Sequence, residues 1–96
     1  METNVNELEI FLLECLNLYI LENEITIEIV DRNTRLIGSN SIFDSLQLVN
    51  FIVFLEEKIE EKYNLSITIA DEKAMSMSTS PFNNILYLTK FILSKI

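Results

Sequence analysis

One glycine, Gly38, and one proline, Pro81, occur in the 96 residues of this chain. So few residues suited to tight turns argue against an all-β fold, which needs a turn signal every few residues. They leave room for long helices, and the apolar spacing supplies them. Residues 5–21 contain neither breaker and are rich in Leu, so helix is favoured there. Leu8, Phe11, Leu12, Cys15, Leu16, Tyr19 and Ile20 form one wide face at helical spacing. Ile10, Leu13, Leu18 and Leu21 lie off that stripe. The helix is therefore either enclosed on several sides or turns a second apolar face to a partner.

Residues 24–30, EITIEIV, and 65–69, LSITI, alternate apolar and polar residues, the pattern of short strands. Two such pieces cannot bury a sheet face alone. The favoured reading is of extended connections whose isoleucines pin a loop onto helices. RNTRLIGSNS (32–41) reads as a loop. A helix then begins near Asp44 or Ser45 and runs to about Tyr63. Its apolar positions are Leu46, Val49, Ile52, Val53, Leu55, Ile59 and Tyr63, and Glu56, Glu57, Glu60 and Glu61 mark its polar side. Lys58 and Lys62 interleave with these acids and offset the repulsion between Glu57 and Glu61. DEKAMSMS (71–78) has the makings of one or two helical turns capped by Asp71. In STSPFNN, Ser80 can cap a last helix and Pro81 suits its first position, where the missing N–H is harmless. Phe82, Ile85, Leu86, Thr89, Leu93 and Ile96 would be its inner face. The expected fold is all-α, a small four-helix bundle with three long helices, one short one and a long loop between the first two. A single domain over 1–96 suits the length.

The net charge is −8, and its placement is uneven. Residues 1–31 hold eight acids and no Lys or Arg; the remainder balances seven acids with seven bases. Such a chain repels nucleic acid and anionic membranes and favours basic protein partners. IFLLECLNLYIL is too short and too interrupted to span a bilayer, so no membrane insertion is expected. The acidic N-terminus argues against a signal peptide. A single cysteine, Cys15, excludes an internal disulfide and fits a reducing compartment, so a cytoplasmic protein is expected.

The chain contains no histidine, which removes the commonest general base and metal ligand. Neither a Ser–His–Asp nor a Cys–His site can be assembled. Cys15 lies on the core stripe and reads as a small buried hydrophobe. One glycine cannot make a phosphate-cradling loop. The outward acids of the second helix read as a solvated face rather than a metal site. Independent enzymatic activity is thus disfavoured.

One short pattern goes further. Asp44-Ser45-Leu46 follows a long loop containing TRLIG and opens an amphipathic helix that continues through Val49, Ile52, Leu55, Glu56 and Glu57 without a breaker. Three residues alone are more often a plain helix cap. The longer pattern, most specific over 34–57, resembles the acyl carrier protein family, including its peptidyl and D-alanyl carrier relatives. The resemblance implies an acyl-carrier-type bundle, with 4′-phosphopantetheine from coenzyme A attached covalently to Ser45 by a separate phosphopantetheinyl transferase. It implies that acyl or aminoacyl groups ride on that arm as thioesters. An acyl- or aminoacyl-activating enzyme and acyltransferases with basic patches would dock at Asp44, Leu46, Val49, Val53, Glu56 and Glu57. For Leu46, Val49 and Val53 the competing reading is core packing, and for Asp44 it is helix capping. The residues before the Asp are Ile42 and Phe43 where many relatives have Gly. Gln47 and Asn50 are neutral where fatty acid carriers are often acidic. These departures suit a specialised biosynthetic pathway. The alternative is an acidic helical interaction module that has a carrier-like fold and no prosthetic group.

Overall fold

The protein is described by a computed structural model covering residues 4–25, 30–38, 41–71, 74 and 80–96. Among these residues all regular structure is helical: α1 (Val5–Glu22), α2 (Ser45–Tyr63) and α3 (Ile85–Leu93).

Each helix begins at a side chain that satisfies one of the amides the first turn leaves unpaired. Asn4 Oδ1 accepts the Glu7 N–H at 2.8 Å and opens α1. Asp44 does the same for α2 and Asn84 for α3, where Asn84 Oδ1 accepts the Tyr87 N–H at 2.9 Å. The end of α1 is a Schellman turn. Ile25 N–H reaches Ile20 O at 3.1 Å and Glu24 N–H reaches Leu21 O at 3.4 Å, with Glu24 left-handed at φ 54°. α2 stops at Asn64, also left-handed.

α1 packs against both other helices. It buries Leu8, Leu12, Cys15, Leu16, Tyr19 and Ile20, as its periodicity predicts, with Phe11 half-buried at the margin. Ile10, Leu18 and Leu21 remain exposed. In α2 the buried stripe is Phe51, Ile52, Leu55 and Ile59, with Leu48 and Phe54 packed against it. The expected stripe is therefore corrected by a rotation, because Leu46, Val49 and Val53 face outward.

The loop after α1 is tied to the far end of the chain. Arg35 and Asn84 form an isolated antiparallel bridge; Leu36 N–H donates to Asn83 O at 3.3 Å and Leu86 N–H to Arg32 O at 3.0 Å. Leu36 and Phe43 are driven into the core. This pairing holds Asn84 extended, which corrects the expected start of the last helix. Pro81 lies buried in a turn, with Phe82 N–H on Ser80 Oγ at 3.1 Å, and the helix waits for Asn84. Its buried set shifts accordingly to Ile85, Leu88, Thr89, Phe91 and Ile92, while Leu86 and Leu93 are half-buried and Ile96 is exposed. Buried Thr89 donates to Ile85 O at 2.7 Å and so leaves no unsatisfied hydroxyl.

Residues 65–69 form no strand; Ile69 is fully buried and Ile67 partly so, as in the pinned-connection reading. The alternating run at 24–30 falls mainly on residues outside the described ones, and of 71–78 only Asp71 and Ala74 are described. Asp71 Oδ1 accepts the Ala74 N–H at 2.9 Å, the bond a helix-capping aspartate makes.

Candidate functional site

Ser45 is the first residue of α2, and its side chain is exposed. The turn around it is doubly capped. Asp44 Oδ1 accepts the Gln47 N–H at 2.8 Å, and Gln47 Oε1 accepts the Asp44 N–H at 3.0 Å. This capping box uses two of the four free amides of the helix start. Among the described residues the amides of Ser45 and Leu46 meet no acceptor, and they stand at the tip, where the helix dipole also favours an anion. Asp44 thus acts as a cap, whatever else it touches.

The capped turn is anchored from beneath by aromatic packing. Phe43, two residues before Ser45, is buried edge-to-face on Tyr19, with ring centroids 5.7 Å apart, and lies 5.2 Å from the Phe51 ring. Tyr19 also packs on Phe51 and Phe54, and its hydroxyl points at Gln47 O, 3.4 Å away. Burial, and then the nearby Asp44 charge, push the Tyr19 hydroxyl above its ordinary pKa. It stays protonated and can donate. Such ring pairs add about 0.5–1.5 kcal/mol each beyond the area they bury. Phe43 thus nails the start of α2 to α1.

Two neighbouring hollows lie along α2, and the first reaches Ser45. One, of about 460 Å³, is bordered by Ser45 itself with Ile37, Gly38, Ser41 and Phe43. Gly38 has φ +89°, a backbone geometry that favours glycine, and a Cβ there would come within 3.3 Å of the Arg35 guanidinium. The second hollow, of about 560 Å³, is lined mainly by apolar groups including Ile52, Val53, Ala74 and Phe82. Ile37, Leu48 and Val49 border both, so the two lie side by side along α2.

The remaining predicted site residues separate into two groups. Leu46, Val49 and Val53 are 70%, 59% and 50% exposed and form one outward stripe running from Ser45 along α2. Glu57 is exposed below it. Glu56 does not point freely outward as its spacing suggests. It is half-buried, its Oε2 accepts the Ile69 N–H at 2.7 Å, and it borders the larger hollow. Sequence reasoning missed this bond, and it missed Ile37, Ala74 and Phe82 as neighbours of the site. The apolar pair Ile42-Phe43 ahead of the Asp was the one available signal that this turn is anchored.

Cys15 is buried in α1, and burial pushes its thiol up to about 11, so it is not a ready nucleophile. Among the described residues no three His, Cys, Asp or Glu side chains gather as metal ligands, and no helix is long and apolar enough to cross a membrane. No family model, no curated protein and no solved structure matches the chain.

Proposed function

We propose that the protein is a carrier whose Ser45 bears 4′-phosphopantetheine, and that it presents acyl or aminoacyl thioesters to enzymes of a specialised biosynthetic pathway. The observation that carries this reading is that Ser45 is an exposed residue at the first position of α2. A phosphodiester on that oxygen would lie beside the Ser45 and Leu46 amides, at the positive end of the helix dipole. No general base accompanies Ser45, and a carrier needs none, since the transferase can take the hydroxyl proton. When bound, the prosthetic group supplies the reactive thiol that buried Cys15 does not.

The apolar hollow beside the one at Ser45 is suited to an acyl chain. The outward Leu46, Val49 and Val53, with Glu57 beyond them, suit partner enzymes with an apolar patch and basic residues around it. Glu56, held by Ile69, would serve chiefly to close the hollow. A short helix at 71–78, headed by Asp71, completes the carrier-type bundle in this reading, and the protein works without catalysis of its own in the cytoplasm.

The test is intact mass after incubation with coenzyme A, magnesium and a broad-specificity phosphopantetheinyl transferase. A single added phosphopantetheine in wild type and none in Ser45→Ala is the expected result. An unchanged wild-type mass, with a control carrier modified in parallel, would overturn the proposal in favour of an unmodified interaction module.

A further inference from the structure

One face of α2 joins Ser45 to an acid. At about 100° per residue Ser45, Val49, Ile52 and Glu56 share one side of the helix. Glu56 stands about three turns beyond Ser45, roughly 16 Å along the axis at 1.5 Å per residue. The larger hollow, of about 560 Å³, lies on this side of α2. Val49 belongs to its border with the hollow at Ser45, and Ile52 and Glu56 line it further along. Among its described lining residues Glu56 is the one ionisable group; Thr68 and Ser80 add neutral hydroxyls and the rest are apolar.

The Glu56 side chain is held in place. Its Oε2 accepts the Ile69 N–H at 2.7 Å, and Ile69 is fully buried. One such bond leaves a carboxylate with capacity to accept others. Glu56 is half-buried, so solvent and salt screen its charge less than they screen the exposed acids. A second carboxylate brought to it would meet a like charge while losing its own water. An ammonium there would gain a charge-assisted hydrogen bond. A methyl end would gain neither attraction nor repulsion.

We infer that Glu56 selects the cargo by its far end: the larger hollow takes an apolar acyl chain that ends in an ammonium group and turns away one that ends in a carboxylate. The chain would lie along Val49 and Ile52, with its last atoms at Glu56. The inference rests on the carrier reading for its thioester. Its test uses the unmodified chain, so a failure here and a failure of phosphopantetheine attachment are read in separate experiments.

The test titrates the isotope-labelled full chain at neutral pH with N-acetylcysteamine thioesters of octanoic, ω-aminooctanoic and octanedioic acid, the last with its second carboxyl free, and follows amide chemical shifts. Shifts centred on Val49, Ile52, Glu56 and Ala74 are expected. The amino-ended probe should bind tightest, and the carboxylate-ended one at least about tenfold more weakly than it. Glu56→Gln keeps an oxygen for the Ile69 N–H and removes the charge, so it should bring those two probes to within about threefold of each other. Slow hydrogen exchange at Ile69 verifies the fold of that variant. Glu22→Gln, at the exposed end of α1, changes the net charge equally and should keep the wild-type order. Equal binding of the amino- and carboxylate-ended probes to wild type, an unaltered preference in Glu56→Gln, shifts centred away from the hollow, or no binding would each overturn the proposal.

Discussion

Asp44 and Gln47 cap one another across the first turn of α2, each side chain accepting the other residue's backbone N–H. Ser45 sits between them, so the same pair that starts the helix fixes where its hydroxyl stands. Loss of such a cap costs about 0.5–2 kcal/mol, and 1 kcal/mol moves Tm by about 4–8 °C in a domain of this size. Asp44→Ala should therefore lower Tm by several degrees. Asp44→Asn keeps the accepting oxygen and should stay close to wild type. Calorimetry on the two variants separates capping from charge: an equal loss in both would show that the carboxylate charge, and not the hydrogen bond, matters.

Glu24 occupies the left-handed position of the α1 Schellman turn, where an L side chain is strained and glycine is not. Exposed Glu24 has no buried contact to lose on removal. Glu24→Gly should stabilise the protein by about 0.5–1 kcal/mol once the greater freedom of glycine in the unfolded chain is subtracted. Urea denaturation measures it, and a lower midpoint would contradict the strain assigned to this residue.

Glu56 holds the amide of Ile69, whose side chain is fully buried. Glu56→Ala strands that N–H, at a cost of about 1–3 kcal/mol. Glu56→Gln can still accept it and should lose much less. Hydrogen exchange at the Ile69 amide should quicken in the alanine variant and stay slow in the glutamine one.

At acid pH the pair Asp71–Lys95 is the group to watch. The hydrogen bond from Lys95, then that from the Ala74 amide, hold the Asp71 carboxyl below its ordinary value. A depressed folded pKa means that its stabilisation is complete above the ordinary aspartate value and is lost as pH falls below about 4. Lys95→Met should flatten the acid limb of a plot of Tm against pH. An unaltered limb would remove this pair from the acid response.

At alkaline pH Cys15 acts in the opposite sense. Burial raises its thiol from 9.0 to about 11, so the stability it contributes is intact below about pH 9 and declines as pH climbs towards 11. The native protein should resist a thiol-specific reagent at pH 8 and react fully in denaturant. Rapid labelling of the native chain would show that α1 opens.

Much of this was legible in the residues. Residues 5–21 and the run that follows Asp44 are long, free of breakers and helically spaced, and local propensity and capping act before any tertiary contact forms. The extents of α1 and α2 and the N-terminal position of Ser45 were therefore determined by the sequence itself. The fit of Cys15 among the apolar residues of α1 was determined in the same way, because one side of that helix carries enough polar residues to set the phase of its stripe.

Tertiary structure decided what local pattern leaves open. All residues from 46 to 55 except Gln47 and Asn50 are apolar, so periodicity could not say which of them face inward. Packing against α1 and the anchor of Phe43 on Tyr19 selected Phe51, Ile52 and Leu55 and left Leu46, Val49 and Val53 outside. The bridge between Arg35 and Asn84 overrode the helix start signalled by Ser80-Pro81. Ile69 likewise drew Glu56 out of a row of surface acids. In each case the deciding partner lies 13 or more residues away, where neither spacing nor propensity reaches.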